Sequence, residues 1–218
     1  MKLHRIAVLS LVVVFGVGYF GRAEKDADLK LLISKASKSV IQEKFEGPKL
    51  PKGWAINKGD FQVRDGALAG WEKKEDMHPA VLTLQKPFKN TVLRFSFKRD
   101  GATGFNLSFN HAKGHLFRVL INDEGITINK DKIKDDPNSK ATVLGKAEGK
   151  FPVGQWQTMQ IEVVGDRVAV QADNGVKLEV RHPGLDVDKT GYRFVTRGST
   201  LFLDDVNVWE VQPQHGAQ

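Results

Sequence analysis

The sequence contains no cysteine, few prolines and few aromatic residues: 8 of its 218 residues are proline, and 9% are Phe, Trp or Tyr. The absence of cysteine excludes disulfide bonds, and it excludes attachment of a lipid through a cysteine thiol. A chain without disulfides must be stabilised by its own apolar core, and about 195 residues suffice for one domain with such a core.

A strong excess of charge of one sign is also missing. The net charge is +7, and it falls to +4 without Lys2, Arg5 and Arg22 of the N-terminal segment. Basic and acidic residues alternate elsewhere, as in residues 130–136. We interpret these charges as solvated surface, and we expect no nucleic-acid partner because no basic stripe with interleaved aromatic residues is present.

The first 23 residues have the three parts of a secretory signal. A basic start is followed by an apolar run over residues 6–20 and by the small residues Gly21 and Ala23. The run is shorter than the roughly 20 residues that cross a bilayer. We therefore predict a signal peptide at 1–23 and a secreted or periplasmic protein. The alternative is an uncleaved anchor, which would be the expected membrane contact.

Apolar residues at helical spacing follow the signal. Leu29, Leu32, Ile33 and Ala36 predict a short helix, or else a tether, over residues 24–39. Nothing in this segment indicates catalysis.

From residue 40 onward the apolar period changes to two, which is the period of strands. In residues 92–98, Leu93, Phe95 and Phe97 share one face, and residues 105–110 repeat the pattern, so we expect two neighbouring strands. Residues 116–122 and 126–129 flank a turn and predict a hairpin. About a dozen such runs predict an all-β, two-sheet antiparallel sandwich or jelly roll over 40–211, with a disordered tail at 212–218.

Several short segments of this pattern support one family resemblance. They are FEG at 45–47, LPKGW at 50–54, GDFQVRDGAL at 59–68, FPVGQW at 151–156, IEVVGDR at 161–167, DNG at 173–175 and FLDDVNV at 202–208. Together they resemble concanavalin A-like jelly rolls of secreted bacterial proteins. The similarity is greatest to 3-keto-disaccharide hydrolase-like and family 16 glycoside hydrolase-like domains. The resemblance covers about residues 40–211 and implies a jelly roll with a carbohydrate-related role.

The acidic residues do not match a retaining glycosidase of the family 16 type. Such enzymes carry a Glu-x-Asp-x-Glu strand that places two carboxyl groups about 5 Å apart. Here Asp204 and Asp205 are adjacent and point to opposite faces, and Glu162 stands alone. We therefore assign no catalytic residue from the sequence.

The 3-keto-disaccharide hydrolase resemblance implies different chemistry, because a ketone beside the leaving group permits elimination with one base and an acid or metal. His78, His111, His115 and His182 fall in or near turns, and none has the spacing of a metal ligand pair. We interpret them as surface or turn residues.

A calcium loop is the remaining metal candidate. Acidic and amide residues cluster between residues 131 and 138, but Lys132 and Lys134 lie between the acids and weaken the site. We predict no metal and no cofactor, with calcium as the alternative. The candidate ligands are Asp131, Asp135, Asp136 and Asn138.

The polar sides of successive strands form the candidate binding site. If these strands are adjacent, hydrogen-bonding groups converge on one sheet surface that suits a hydroxyl-rich ligand, with one tryptophan at its rim. The same alternation is also what an antiparallel sheet presents to water without any ligand. The candidate residues are Trp71, His78, Arg94, Asn106, Asn110 and Arg118.

Three functions are consistent with these patterns. The leading hypothesis is an exported, non-catalytic, lectin-like domain whose partner is a glycan or another hydroxyl-rich ligand. The second is a glycoside hydrolase or lyase acting on 3-keto-disaccharides or related glycosides, and the third is a structural or adhesion module of the envelope.

Overall fold

The computed structural model describes residues 29–214, which form thirteen β-strands and two single-turn 3-10 helices at Lys74–Asp76 and Pro183–Leu185. The strands are β1 Ser34–Glu43, β2 Trp54–Lys58, β3 Asp60–Arg64, β4 Ala67–Trp71, β5 Ala80–Leu84, β6 Thr91–His111, β7 Gly114–Asn122, β8 Gly125–Lys130, β9 Thr142–Glu148, β10 Gln157–Val164, β11 Arg167–Ala172, β12 Lys177–Arg181 and β13 Gly191–Pro213.

Two long strands, β6 and β13, run through both layers of the sandwich. They pair antiparallel along nearly their whole length, from Thr91 opposite Glu210 to Asn110 opposite Gly191. The register shifts near Gly101, whose φ of 85° suits a residue without a side chain. This irregularity marks where both strands leave one sheet and enter the other.

The first sheet contains the first half of β6 and the second half of β13. Its order is β12-β11-β10-β6-β13, and β13 continues the sheet through β4 and β3 at one end and through β1 at the other. The second sheet has the order β2-β5-β13-β6-β7-β8-β9 and uses the other half of each long strand. The all-β, two-sheet antiparallel prediction is therefore confirmed.

The core lies between the two sheets and is built by the alternation that the sequence shows. Phe95 and Phe97 of the first sheet and Phe109 and Phe117 of the second are fully buried. Phe109 and Phe117 stack with ring centroids 4.5 Å apart. Since large aromatic side chains bury the most apolar area per residue, these rings contribute strongly to the stability of a chain without disulfides.

The expectation that residues 92–98 and 105–110 are two neighbouring strands is wrong. They are the two halves of β6, and each pairs with β13 rather than with the other. The chain between them continues as strand instead of turning back. Side chains on the polar sides of the two halves consequently lie on opposite outer faces of the sandwich.

The short helix predicted before residue 40 is also wrong where the structure describes it. Ser34–Glu43 is strand β1, which pairs with β13, and the pairing reaches Pro213 at the start of the predicted tail. Pairing with a central strand has overridden the helical spacing. The predicted signal peptide at 1–23 and residues 215–218 lie outside the described part of the chain.

Residues 29–34 form an N-terminal strap across the outer face of the first sheet. Ile33 is buried there against Val92, Val164 and Val211. Leu32 packs against the same patch, so two of the apolar residues that suggested a helix cover an apolar part of the sheet. Between residues 29 and 214 the structure contains no helix with the length and apolar character needed to span a bilayer.

Candidate functional site

The six candidate residues do not share one surface. Arg94 lies on the outer face of the first sheet, where it donates to Gln160 Oε1 at 2.7 Å and to the Leu29 carbonyl of the strap at 2.6 Å. Trp71 lies in β4 of the same sheet, and the Cζ atom of Arg64 lies 4.3 Å from the centroid of its ring. The predicted rim of the site is therefore not beside the residues of the second sheet.

His78 is separate as well. It lies in the turn after the first 3-10 helix, and its Nδ1 is 2.8 Å from the Pro79 carbonyl. The sequence places Arg94 with the others because it predicts that both halves of β6 expose their polar sides on one sheet, and it adds Trp71 as the aromatic rim in a turn beside His78.

Asn106, Asn110 and Arg118 do lie together on the outer face of the second sheet. Asn106 and Asn110 alternate with Ser108 along the second half of β6, and Arg118 projects from the neighbouring strand β7. Ser108 and Asn106 are only 1% and 6% exposed, because longer side chains stand on both sides of them. Three of the six residues therefore share one surface.

The short polar residues form the floor of a trough between two arginines. Ser108 pairs with Arg193 of β13 on one side and with Arg118 of β7 on the other. Arg193 and Arg118 lie on the two strands that flank β6. Since neighbouring strands are about 4.8 Å apart, the main-chain atoms of the two arginines are about 10 Å apart. We use the name "trough" for Asn106, Ser108 and Asn110 with these two arginine walls.

The wall formed by Arg118 is fixed by a carboxylate. Arg118 donates from Nε to Asp131 Oδ2 at 3.0 Å and from Nη2 to Asp131 Oδ1. The Asp131 amide in turn donates to the Leu116 carbonyl at 2.8 Å. A fork of this kind fixes the guanidinium plane, and it commits the Asp131 carboxylate that the sequence offered as a calcium ligand. Within residues 29–214 there is no cluster of acidic residues and histidines able to hold a metal ion.

His115 completes the trough at one end. Its Nδ1 lies 3.0 Å from Asn110 Oδ1 and 3.1 Å from Ser108 Oγ. An amide oxygen can only accept, so with this amide orientation the imidazole proton lies on Nδ1 and the lone pair on Nε2.

The charge state of His115 follows from its surroundings. Partial burial lowers its pKa below the ordinary value of 6.5; Asp131 opposes this effect, while Arg193 and Arg118 add to it. The imidazole is therefore neutral at pH 7. The sequence alone favours a surface or turn role for His115, because its contacts require β6 and β7 to be paired.

Two buried polar atoms beside the trough have no hydrogen-bond partner within the described residues. They are Arg193 Nε and Asn129 Oδ1, and Asn129 lies directly across from Arg118. Buried polar atoms are normally paired, so these two atoms are gaps in the hydrogen bonding beside the trough. Arg193 was missed from the sequence, although alternation along residues 191–196 places it opposite the buried Tyr192 and Phe194.

Two open cavities lie elsewhere on the domain. An open cavity of about 460 Å³ lies beside residues 148–150 and 174–176, and another of about 310 Å³ lies between Asp166 and the strap. Neither includes the trough. The trough is an open sheet surface, and such a surface suits an extended ligand better than one that must be fully enclosed.

These features define a two-sheet jelly-roll domain with a polar trough on one outer face. The chain belongs to the family of 3-keto-α-glucoside-1,2-lyase-like domains, whose model matches residues 41–192. The match contains the floor of the trough, His115, Arg118 and Asp131, and it ends one residue before Arg193. No curated protein matches the chain.

Solved structures with the same fold have little sequence in common with this chain. The carbohydrate-binding module CBM66 from Bacillus subtilis is 11% identical, with a TM-score of 0.58 over 72% of this chain and 96% of that module. A Bacillus subtilis protein of unknown function with a galectin-like fold is also 11% identical, with a TM-score of 0.66 over 83% of this chain and 100% of that one. Porphyranase B from Zobellia galactanivorans is 14% identical, with a TM-score of 0.59 over 78% and 91%. At these identities the likeness concerns the fold.

Proposed function

We propose that this chain is an exported domain that binds a glycoside in the trough of the second sheet. The observation that carries the proposal is the convergence of Ser108, Asn110 and His115 on one face, between Arg118 and Arg193. Hydroxyl groups of a sugar both donate and accept, and this set offers both kinds of partner. The family and the jelly-roll carbohydrate proteins of similar fold support the same class of ligand.

Two aliphatic side chains beside Asn106 provide apolar contacts for the sugar ring. Val195 and Leu120 flank Asn106 on the neighbouring strands, and both are half-buried. Aliphatic side chains next to polar groups provide contact for the C–H face of a pyranose. In this proposal Val195 and Leu120 provide the apolar contact for which the sequence pattern suggests Trp71.

Calorimetric titration of the full chain with a panel of glycosides tests this proposal. Arg118→Lys retains the charge but loses the fork with Asp131, so we expect affinity to fall about tenfold. Arg167→Lys is the matched control, because Arg167 donates twice to Glu179 on the other sheet. Equal affinity in both variants would exclude the trough as the binding site.

Elimination from a 3-keto-glycoside is the second candidate function, and His115 is the observation that favours it. A neutral imidazole with its lone pair on Nε2 is a competent base at pH 7. In such a reaction Nε2 removes the proton from the carbon between the ketone and the anomeric carbon. The released electron pair forms the C1–C2 double bond as the C1–O bond breaks, and the departing oxygen takes up a proton. The products are an unsaturated keto sugar and an alcohol.

Incubation with 3-keto-disaccharides, with and without added divalent metal ions, separates the two functions. Turnover that disappears in His115→Gln while binding persists would assign the base. Binding without product above a blank would leave a lectin-like domain.

The cellular location belongs to the same proposal. Residues 1–23 have the pattern of a secretory signal, and we propose that the domain acts outside the cytoplasm. Cell fractionation and N-terminal sequencing test this. A chain that keeps residues 1–23 in the cytoplasmic fraction would contradict it.

A further inference from the structure

Arg193 is a half-buried arginine whose guanidinium makes no hydrogen bond or ion pair with the part of the chain that the structure describes. Its Nε is buried without a hydrogen-bond partner, and no ion pair of residues 29–214 involves it. A guanidinium has five donors and is always charged, so burying part of it without a partner costs free energy. A partner outside the described residues that accepts from this guanidinium would offset the cost.

The other buried or half-buried arginines of the described chain are all engaged. Each donates to a carboxylate, an amide oxygen or a main-chain carbonyl of the protein. They are Arg94 with Gln160, Arg99 with Asp123, Arg118 with Asp131, and Arg167 with Glu179. Arg193 is the exception within this set, and it is the one that lines the trough together with Arg118.

The charge of the trough is unbalanced as a result. Its two arginines face one carboxylate, Asp131, and that carboxylate is committed to Arg118. The positive field of Arg193 reaches the imidazole across the floor, since it contributes to lowering the pKa of His115. The trough therefore carries a local excess of one positive charge.

We propose that the ligand of the trough is an acidic glycoside whose anionic oxygen group is held by Arg193. This inference rests on the proposed glycoside site and specifies its substrate class. The planar guanidinium fork matches a carboxylate with two parallel bonds, so a uronic acid is the expected sugar, and a sulfate ester offers the same oxygen chemistry. Asn110, two residues along β6 from Ser108, is less buried, and its side-chain amide can donate to a neighbouring sugar hydroxyl.

Calorimetry with three matched ligands tests the proposal: a methyl glucoside, the corresponding methyl glucuronide, and the glucoside 6-sulfate. We expect at least one acidic ligand to bind about tenfold or more tightly than the neutral one, with the preference decreasing as salt rises. The stronger of the two acidic ligands identifies the group. In Arg193→Gln the preference should disappear, while Arg193→Lys should keep part of it.

The control variant is Arg197→Gln, which removes an exposed arginine four residues further along the same strand. It should leave the preference unchanged. Arg193→Gln should also leave the thermal midpoint unchanged or higher, because the wild-type side chain has no protein partner to lose. Equal binding of neutral and acidic ligands would overturn the acidic-ligand proposal and keep the glycoside site. Failure of every glycoside in the panel to bind would overturn both.

Discussion

Replacing Glu162 with glutamine tests how the N-terminal strap is held on the first sheet. Glu162 is 1% exposed in β10, and its carboxylate accepts five hydrogen bonds. The donors are the amides of Leu32 at 2.7 Å, Ile33 at 3.0 Å and Ser34 at 3.1 Å, the Ser34 hydroxyl at 2.7 Å, and Gln160 Nε2 at 3.0 Å. Two carboxylate oxygens thus bind the strap through its main chain.

The expected loss of stability follows from the single acceptor oxygen of a glutamine side chain. Glutamine keeps one acceptor oxygen, which can serve the three donors that now reach Oε2, namely Ile33 N and the amide and hydroxyl of Ser34. Its NH2 group then faces two donors, the Leu32 amide and Gln160 Nε2, in place of Oε1. Each buried donor left without an acceptor costs about 1–3 kcal/mol, so we expect a loss of about 2–5 kcal/mol. The free energy of docking the strap sets the upper limit if only the strap detaches.

Hydrogen exchange and urea denaturation together measure this effect. Exchange of the Leu32, Ile33 and Ser34 amides should accelerate in Glu162→Gln, and the unfolding free energy should fall. Glu179→Gln, which removes an exposed partner of Arg167, is the control and should change neither by more than about 1 kcal/mol. Unchanged protection of the three amides would refute the reasoning.

Three further changes have defined outcomes. Burial lowers the pKa of Lys189 to about 8, whereas a lysine in the unfolded chain titrates near 10.4. The unfolded state therefore binds more protons between these pH values, and the free energy of unfolding rises with pH there. Lys189→Met removes the buried charge, so its stability relative to the wild type should be about 1–2 kcal/mol greater at pH 7 than at pH 10, measured by urea denaturation at both pH values. Asn110→Asp places a carboxylate on His115 Nδ1 and should raise the pKa of His115, followed by NMR titration, with no change contradicting the contact. Gly125 has a φ of 141°, and a Cβ there would meet the Ala147 carbonyl oxygen. Gly125→Ala should therefore lower the unfolding free energy by about 2–4 kcal/mol, measured by thermal or chemical denaturation. A loss below about 1 kcal/mol would contradict this steric argument.

Local alternation was sufficient to predict the fold class and several of the strands, although not β1 or the continuity of β6. The turn between β7 and β8 was also readable, since Asn122 Oδ1 accepts from the Glu124 and Gly125 amides as an Asn-initiated turn requires. Ile126 and Ile128 then point to the core as their period of two indicates. Turns and alternating faces depend on residues that are close in sequence, so a single sequence is enough to predict them.

The site was only partly predictable, because its composition depends on which strands meet. Asn106 and Arg118 were placed together correctly since β6 and β7 are consecutive. Arg94 was misplaced because nothing local distinguishes a turn at Gly101 from a strand that continues into the other sheet. Arg193 reaches the trough through pairing of β13 with β6, about 85 residues away in sequence, and single-sequence patterns do not encode such pairing.

The strand β13 follows all of its partner strands in sequence, and this order has a consequence for how the domain folds. This strand supplies the pairing partner of β1, β4, β5 and β6, and it does so in both layers. A growing chain that stops before Gly191 therefore lacks the middle of each layer at once, and neither can close around its apolar residues. Both layers therefore close only after β13 has been synthesised, which places the long-range strand pairing of this domain late in folding.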